Sequence, residues 1–159
     1  MLDRTFSINS EKITTRLWLW FSIIVLVNVV FKIAYLGYSS FWYDEIVSVQ
    51  SASLDFGHIK HVSEWDKNPP FYYYSLSVWI KLFNDSEFCV RLLSVIFSSL
   101  SAGVLFLLAN KFFNKTTAIA ASFLYVSNNF LYFYSHEARA YALVGLLVLL
   151  SSYLFLSFK

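Results

Sequence analysis

Two stretches of this chain, residues 92–109 and 116–134, carry no charged side chain. Two more, 17–35 and 140–158, are equally apolar apart from Lys32 in the first. A helix rises about 1.5 Å per residue, so roughly 20 apolar residues cover a hydrocarbon core about 30 Å thick. The expected fold is therefore an all-α integral membrane protein of about four transmembrane helices, 17–35, 92–109, 116–134 and 140–158. Composition agrees: 58% of the 159 residues are hydrophobic and only 14% charged, against about a quarter charged in soluble domains. With so few charges the chain could not cover a water-facing surface, and one membrane unit over 1–159 is expected.

The net charge of +2 is too small to suggest nucleic acid as a partner. The single cysteine, Cys89, excludes an intrachain disulfide and a cysteine zinc cluster. His58, His61 and His136 are too scattered to form a metal site on spacing alone. Lys32 lies about one turn from the end of its span, where its stem is expected to snorkel to the headgroups. Asn128 and Asn129, deeper in the third span, read as interhelical hydrogen-bonding residues.

Orientation follows basic residues in short loops. Arg4, Lys12 and Arg16 precede the first span, Lys111 and Lys115 sit between the second and third, and Lys159 ends the chain. With alternating spans these share one side, expected to be cytoplasmic, in the inner (plasma) membrane. The other side receives the long 36–91 loop and the short 135–139 loop, with eight of the ten acids. A cleaved signal peptide is the rival account of the first span, with Gly37-Tyr38-Ser39 as the small-x-small site. Lys32, which interrupts the apolar run, argues against it.

The outer loop is expected to carry two juxtamembrane helices. Ser40 is placed to cap one whose first turn holds Tyr43, Asp44 and Glu45. Asn68 is placed to cap a second, with Pro69 at its first position. That aromatic helix, about 69–83, is too short to span. Glu137 and Arg139 open the fourth span on the same side as Asp44 and Glu45, so a groove lined by all four is geometrically available.

Such a groove suits group transfer from a lipid-phosphate sugar. A carboxylate such as Asp44 can take the acceptor's proton. Arg139 or Lys67 can hold the departing phosphate, the arginine by two parallel bonds. A divalent metal bridging phosphate and carboxylates is a further option. Each residue also has a plain structural account: acids in a first turn are favoured by the helix dipole alone, and Glu137 and Arg139 serve equally as interface charges.

The order of the pieces adds to this. Phe41-Trp42-Tyr43-Asp44-Glu45, then Asn68-Pro69-Pro70-Phe71-Tyr72-Tyr73, Glu87-Phe88-Cys89-Val90-Arg91-Leu92 and Ser135-His136-Glu137-Ala138-Arg139-Ala140-Tyr141-Ala142 follow one another. In this the chain resembles the amino-terminal part of the glycosyltransferase-C superfamily. The similar branch is the family 39, protein O-mannosyltransferase-like group, including bacterial relatives of the lipid A aminoarabinose transferase. The resemblance implies an inverting transferase with a polyprenyl-phosphate sugar donor, Asp44 at or near the catalytic base and Glu45 beside it. It points to Asp66, Lys67 and Asn68 for donor phosphate or metal, and to Glu137 with Arg139 for the second outer loop. Glu137 and His136 are the candidate metal ligands. Relatives often have His or Lys where this chain has Asn68, and Gln where it has His136.

Members of that group commonly have eleven to thirteen spans, so the chain is expected to be a fragment, a truncated product or one part of a split enzyme whose remainder is a partner. The alternative function is a non-catalytic membrane remnant or assembly partner lacking the later helices. A transporter fragment is disfavoured by the lack of a charged residue at mid-membrane.

Overall fold

The computed structural model describes residues 2–54, 56–66 and 69–158, with side chains described over 15–54, 56–61 and 69–158. The described residues form helices joined by short turns, with no strand among them. In chain order these are α1 (Leu2–Ile33), α2 (Tyr43–Ser53), α3 (Phe56–Asp66), α4 (Pro70–Leu82), α5 (Glu87–Phe112), α6 (Lys115–Ser127), α7 (Asn129–Ser135) and α8 (Tyr141–Ser157).

Two segments are long and apolar enough to cross a membrane, Thr15–Ile33 of α1 and Glu87–Phe112, which is α5. α8 is a shorter apolar helix. α5 is the centre of the bundle, packed against α1, α6 and α8. Gly103 lets α1 approach: a Cβ there would stand 2.5 Å from Phe21 Cε2 and 2.8 Å from Val25 Cγ2.

The expected third span is not one helix. It breaks at Asn128, whose backbone is extended (φ −74°, ψ 117°). The Asn128 side chain accepts the Leu131 N–H at 3.0 Å and so starts α7 afresh. A short side chain that bonds its own neighbouring backbone competes with the helix ladder in this way. Asn128 is thus an N-cap rather than a bridge to another helix.

Lys32 also departs from expectation. It is fully buried rather than snorkelled. Its ammonium donates to Ser98 Oγ at 2.7 Å and to the Leu131 carbonyl at 3.3 Å, and lies 5.4 Å from the Tyr125 ring centre. A long cationic side chain near a helix end reaches for whichever polar groups are nearest, and here those belong to α5 and α7.

The segment between α1 and α5 holds three helices, not two. α2 begins at Tyr43 after Trp42 rather than on a Ser40 cap, because the Glu45 carboxylate accepts the Trp42 N–H at 3.0 Å. Pro69 precedes α4, with Pro70 inside its first turn, where a missing N–H costs nothing. The expected Asn68 cap lies outside the described residues.

α4 buries Tyr72, Tyr73 and Leu76 against Ala52 of α2, Ile59 of α3, Val90 and Leu93 of α5, and Ala138, Ala140 and Leu143. Full burial of a leucine-sized side chain stabilises by about 1.5–3 kcal/mol relative to water. This core is the floor on which the 41–45 and 136–140 segments rest. Trp79 fixes α4 to α5 by donating to the Cys89 carbonyl at 2.8 Å.

The two ends of the bundle differ in charge. Lys111, at the end of α5, donates to Ser157 at the end of α8, and Lys115 lies 4.3 Å from the Trp20 ring centre. The acids Asp44, Glu45 and Glu137 gather at the other end, where α1 finishes and α5 begins.

Candidate functional site

A groove of about 260 Å³ at the acidic end is lined by Trp42, Tyr43, Asp44, Glu45, Glu137 and Arg139. The four residues expected to meet there on spacing do so, although Asp44 and Arg139 lie 95 residues apart.

The two adjacent acids have different surroundings. The Asp44 side chain is 65% exposed, and its Oδ2 stands 3.9 Å from Arg139 Nη2. Arg139 Nη1 also donates to the Asp44 carbonyl at 3.4 Å. At that distance and exposure the ion pair contributes little, and Asp44 keeps lone pairs open to the groove.

Glu45 is buried, and its oxygens are committed. Oε1 accepts from Arg91 Nε at 2.9 Å and from the Ala138 N–H at 2.9 Å. Oε2 accepts from Arg91 Nη2 at 2.6 Å and from the Trp42 N–H at 3.0 Å. Four hydrogen bonds use the acceptor sites of a carboxylate.

Arg91, to which the spacing assigned no role, completes this network. Nη1 donates to the Leu36 carbonyl at 3.2 Å and the Ser39 carbonyl at 2.7 Å, and Nη2 to the Ser40 carbonyl at 3.1 Å. Its guanidinium carbon lies 5.5 Å from the Phe41 ring centre. The one available signal was an arginine at the head of an otherwise charge-free span, where burial requires an acid partner.

Burial alone would raise the Glu45 pKa. The hydrogen bond from Arg91, those from Ala138 and Trp42, and the Arg91 charge outweigh it and hold the carboxyl below its ordinary 4.5. An acid with a depressed folded pKa contributes stability that is complete above the unfolded value and is lost as pH falls through the folded one. Thermal stability of the detergent-solubilised protein should therefore drop as pH falls below 4.5, and a Glu45→Gln protein should lack this component of the acid limb. Glu137 shifts the other way: burial, then the Glu45 charge, raise it, with Arg139 opposing and Asp44 reinforcing. It holds its proton to higher pH than an ordinary glutamate. His136 is pushed down, chiefly by burial.

A family model described as dolichyl-phosphate-mannose-protein mannosyltransferase matches residues 67–159, more than half of the chain. The chain belongs to this mannosyltransferase family. It is thus placed among glycosyltransferases with a membrane setting, in keeping with its long apolar helices. No curated protein and no solved structure gives a significant match.

The segment matched to the mannosyltransferase family contains Arg91, Glu137 and Arg139 but stops short of Asp44 and Glu45. The bonds from Arg91 and Ala138 to Glu45 tie the unmatched 36–45 segment to the matched part. Asp66 is the last residue of α3, its side chain not described, and Lys67 and Asn68 lie outside the described residues. His136 does not line the groove; its ring packs 4.4 Å from that of Tyr132. Among the described residues no three His, Cys, Asp or Glu side chains come together to hold a metal ion. Asp44 and Glu137 alone fall short of the six or more oxygens a calcium-type site takes.

Proposed function

We propose that the groove is the transfer site of an inverting glycosyltransferase that moves a sugar from a polyprenyl-phosphate donor to an acceptor hydroxyl. The observation that carries this reading is the open Asp44 carboxylate beside Arg139 in one groove of a mannosyltransferase-family chain. Asp44 takes the proton of the acceptor hydroxyl as its oxygen forms the new bond to the sugar's anomeric carbon. The bond from that carbon to the phosphate oxygen breaks, and polyprenyl phosphate leaves with the electron pair. Arg139 offsets the charge that builds on the phosphate. Glu137, whose pKa burial raises above the ordinary glutamate value, lines the same groove beside Arg139. Asp66, Lys67 and Asn68 belong to the donor side by family resemblance. A divalent metal there would draw on the Asp66 carboxylate and the Asn68 amide oxygen and would offset phosphate charge.

Trp42 and Tyr43 are 67% and 80% exposed and line the groove beside Asp44. Their flat apolar faces suit the C–H face of a sugar ring. In this reading the chain crosses the plasma membrane about four times, with the groove on the outer side. The lysines at the opposite end of the bundle support that orientation.

The test is transfer of labelled mannose from polyprenyl-phosphate mannose by membranes carrying the full-length protein. Arg139→Ala removes a charge-assisted contact, so kcat/KM should fall about ten- to a hundredfold. Unchanged kcat/KM would remove Arg139 from the phosphate. Absence of transfer by the wild type itself, with this donor and with other polyprenyl-phosphate sugars, would favour the non-catalytic alternative.

A further inference from the structure

We propose that Arg91 is a positioning residue for the transfer: it holds the 36–45 segment and, through Glu45, the 136–140 loop in one frame, and so sets where Asp44 stands against Arg139. The inference rests on the transfer reading above and deepens it.

A guanidinium has five N–H donors in a fixed fork. In Arg91 all five have acceptors: two Glu45 oxygens and the carbonyls of Leu36, Ser39 and Ser40. The acceptors belong to the turn that leaves α1 and to the first turn of α2. Glu45 passes the constraint on, because Oε1 also accepts the Ala138 N–H, between Glu137 and Arg139. Three chain segments far apart in sequence thus meet on one ion pair, whose side chains are 3% and 1% exposed. A buried network with every member satisfied is rigid, and it has no second arrangement of equal energy. Asp44 precedes Glu45 directly, and Arg139 follows Ala138 directly. The groove's two working side chains are therefore each one residue from an atom of the network.

Lysine cannot replace this arginine, since a single nitrogen with three donors cannot reach carboxylate and three carbonyls at once. Arg91→Lys keeps the charge and loses the geometry, which makes it the informative change. A misplacement of about 1 Å can cost a hundredfold in rate.

The primary test needs no ligand. Spin labels are attached at Asp44→Cys and Arg139→Cys of the full-length protein in a Cys89→Ser background, and their separation is measured with and without Arg91→Lys. A narrow distance distribution that broadens or shifts in the Arg91→Lys protein supports the proposal, and an unchanged distribution overturns it. In otherwise wild-type protein at equal membrane levels, Arg91→Lys should lower kcat with polyprenyl-phosphate mannose about ten- to a hundredfold. Unchanged kcat also overturns it. Glu45→Gln should have a similar effect, and the double variant should be no worse than the worse single one, as for residues acting as a unit. If Arg91→Lys protein fails to accumulate, Glu45→Gln carries both measurements. Should an Asp44→Asn protein transfer sugar normally, Asp44 is not the base, while the label distances still report whether Arg91 sets the loops.

Discussion

Glu45→Ala is expected to destabilise the protein by about 3–5 kcal/mol, the range for removing one partner of a buried ion pair. The loss comes less from the missing attraction than from what stays behind. Arg91 would remain buried as an uncompensated cation, and the Trp42 and Ala138 N–H groups would lose their acceptor. The start of α2 would lose its tie to α5 and to the loop before α8. Thermal unfolding in detergent and the amount of protein retained in membranes are the measurements. Removing the stranded charge as well, in a Glu45→Ala/Arg91→Met double variant, should recover part of the loss, because an apolar pair needs no desolvation. A single variant as stable as wild type would mean that water reaches Arg91 and that the pair is not buried in solution.

The contrast between Glu45 and Asp44 shows where a linear reading stops. Two neighbouring acids in one helix turn are equivalent by propensity, by dipole and by hydropathy. What separates them is the direction of each side chain relative to α5, and that is settled by an arginine 46 residues further on. The meeting of Asp44 with Glu137 and Arg139 was legible, because alternation of apolar spans puts the two loops at one end whatever the packing. The short 135–139 connection left Arg139 little freedom to be elsewhere. The inward turn of Lys32 was not legible. Snorkelling and burial differ only in whether Ser98 and the Leu131 carbonyl lie within reach, which is a tertiary fact. The break at Asn128 had a local cause that hydropathy does not weigh: an amide able to cap the next turn inside an apolar run. α3 carries Phe56, Ile59, Val62 and Trp65 at a helical three-residue spacing, but the run is only 11 residues long and opens beside Gly57, so its periodicity is easily passed over.

Asp44→Asn is expected to lower sugar transfer by about 10²–10⁴-fold, the usual contribution of a positioned general base. The substitution keeps size and shape and removes the one property the step needs, a carboxylate able to accept the acceptor's proton. Of the carboxylates in the groove Asp44 suits this best. Glu45 has its acceptor sites occupied by Arg91, Trp42 and Ala138, and Glu137 is half-buried where Asp44 is exposed. Asp44 is exposed and only loosely paired with Arg139, so stability should change by no more than about 0.5 kcal/mol. The combination distinguishes chemistry from folding: turnover of labelled polyprenyl-phosphate mannose should collapse while thermal stability and membrane level stay at the wild-type value. Transfer at the wild-type rate would leave the proton without a known acceptor and would move the search for the base to Asp66, at the end of α3.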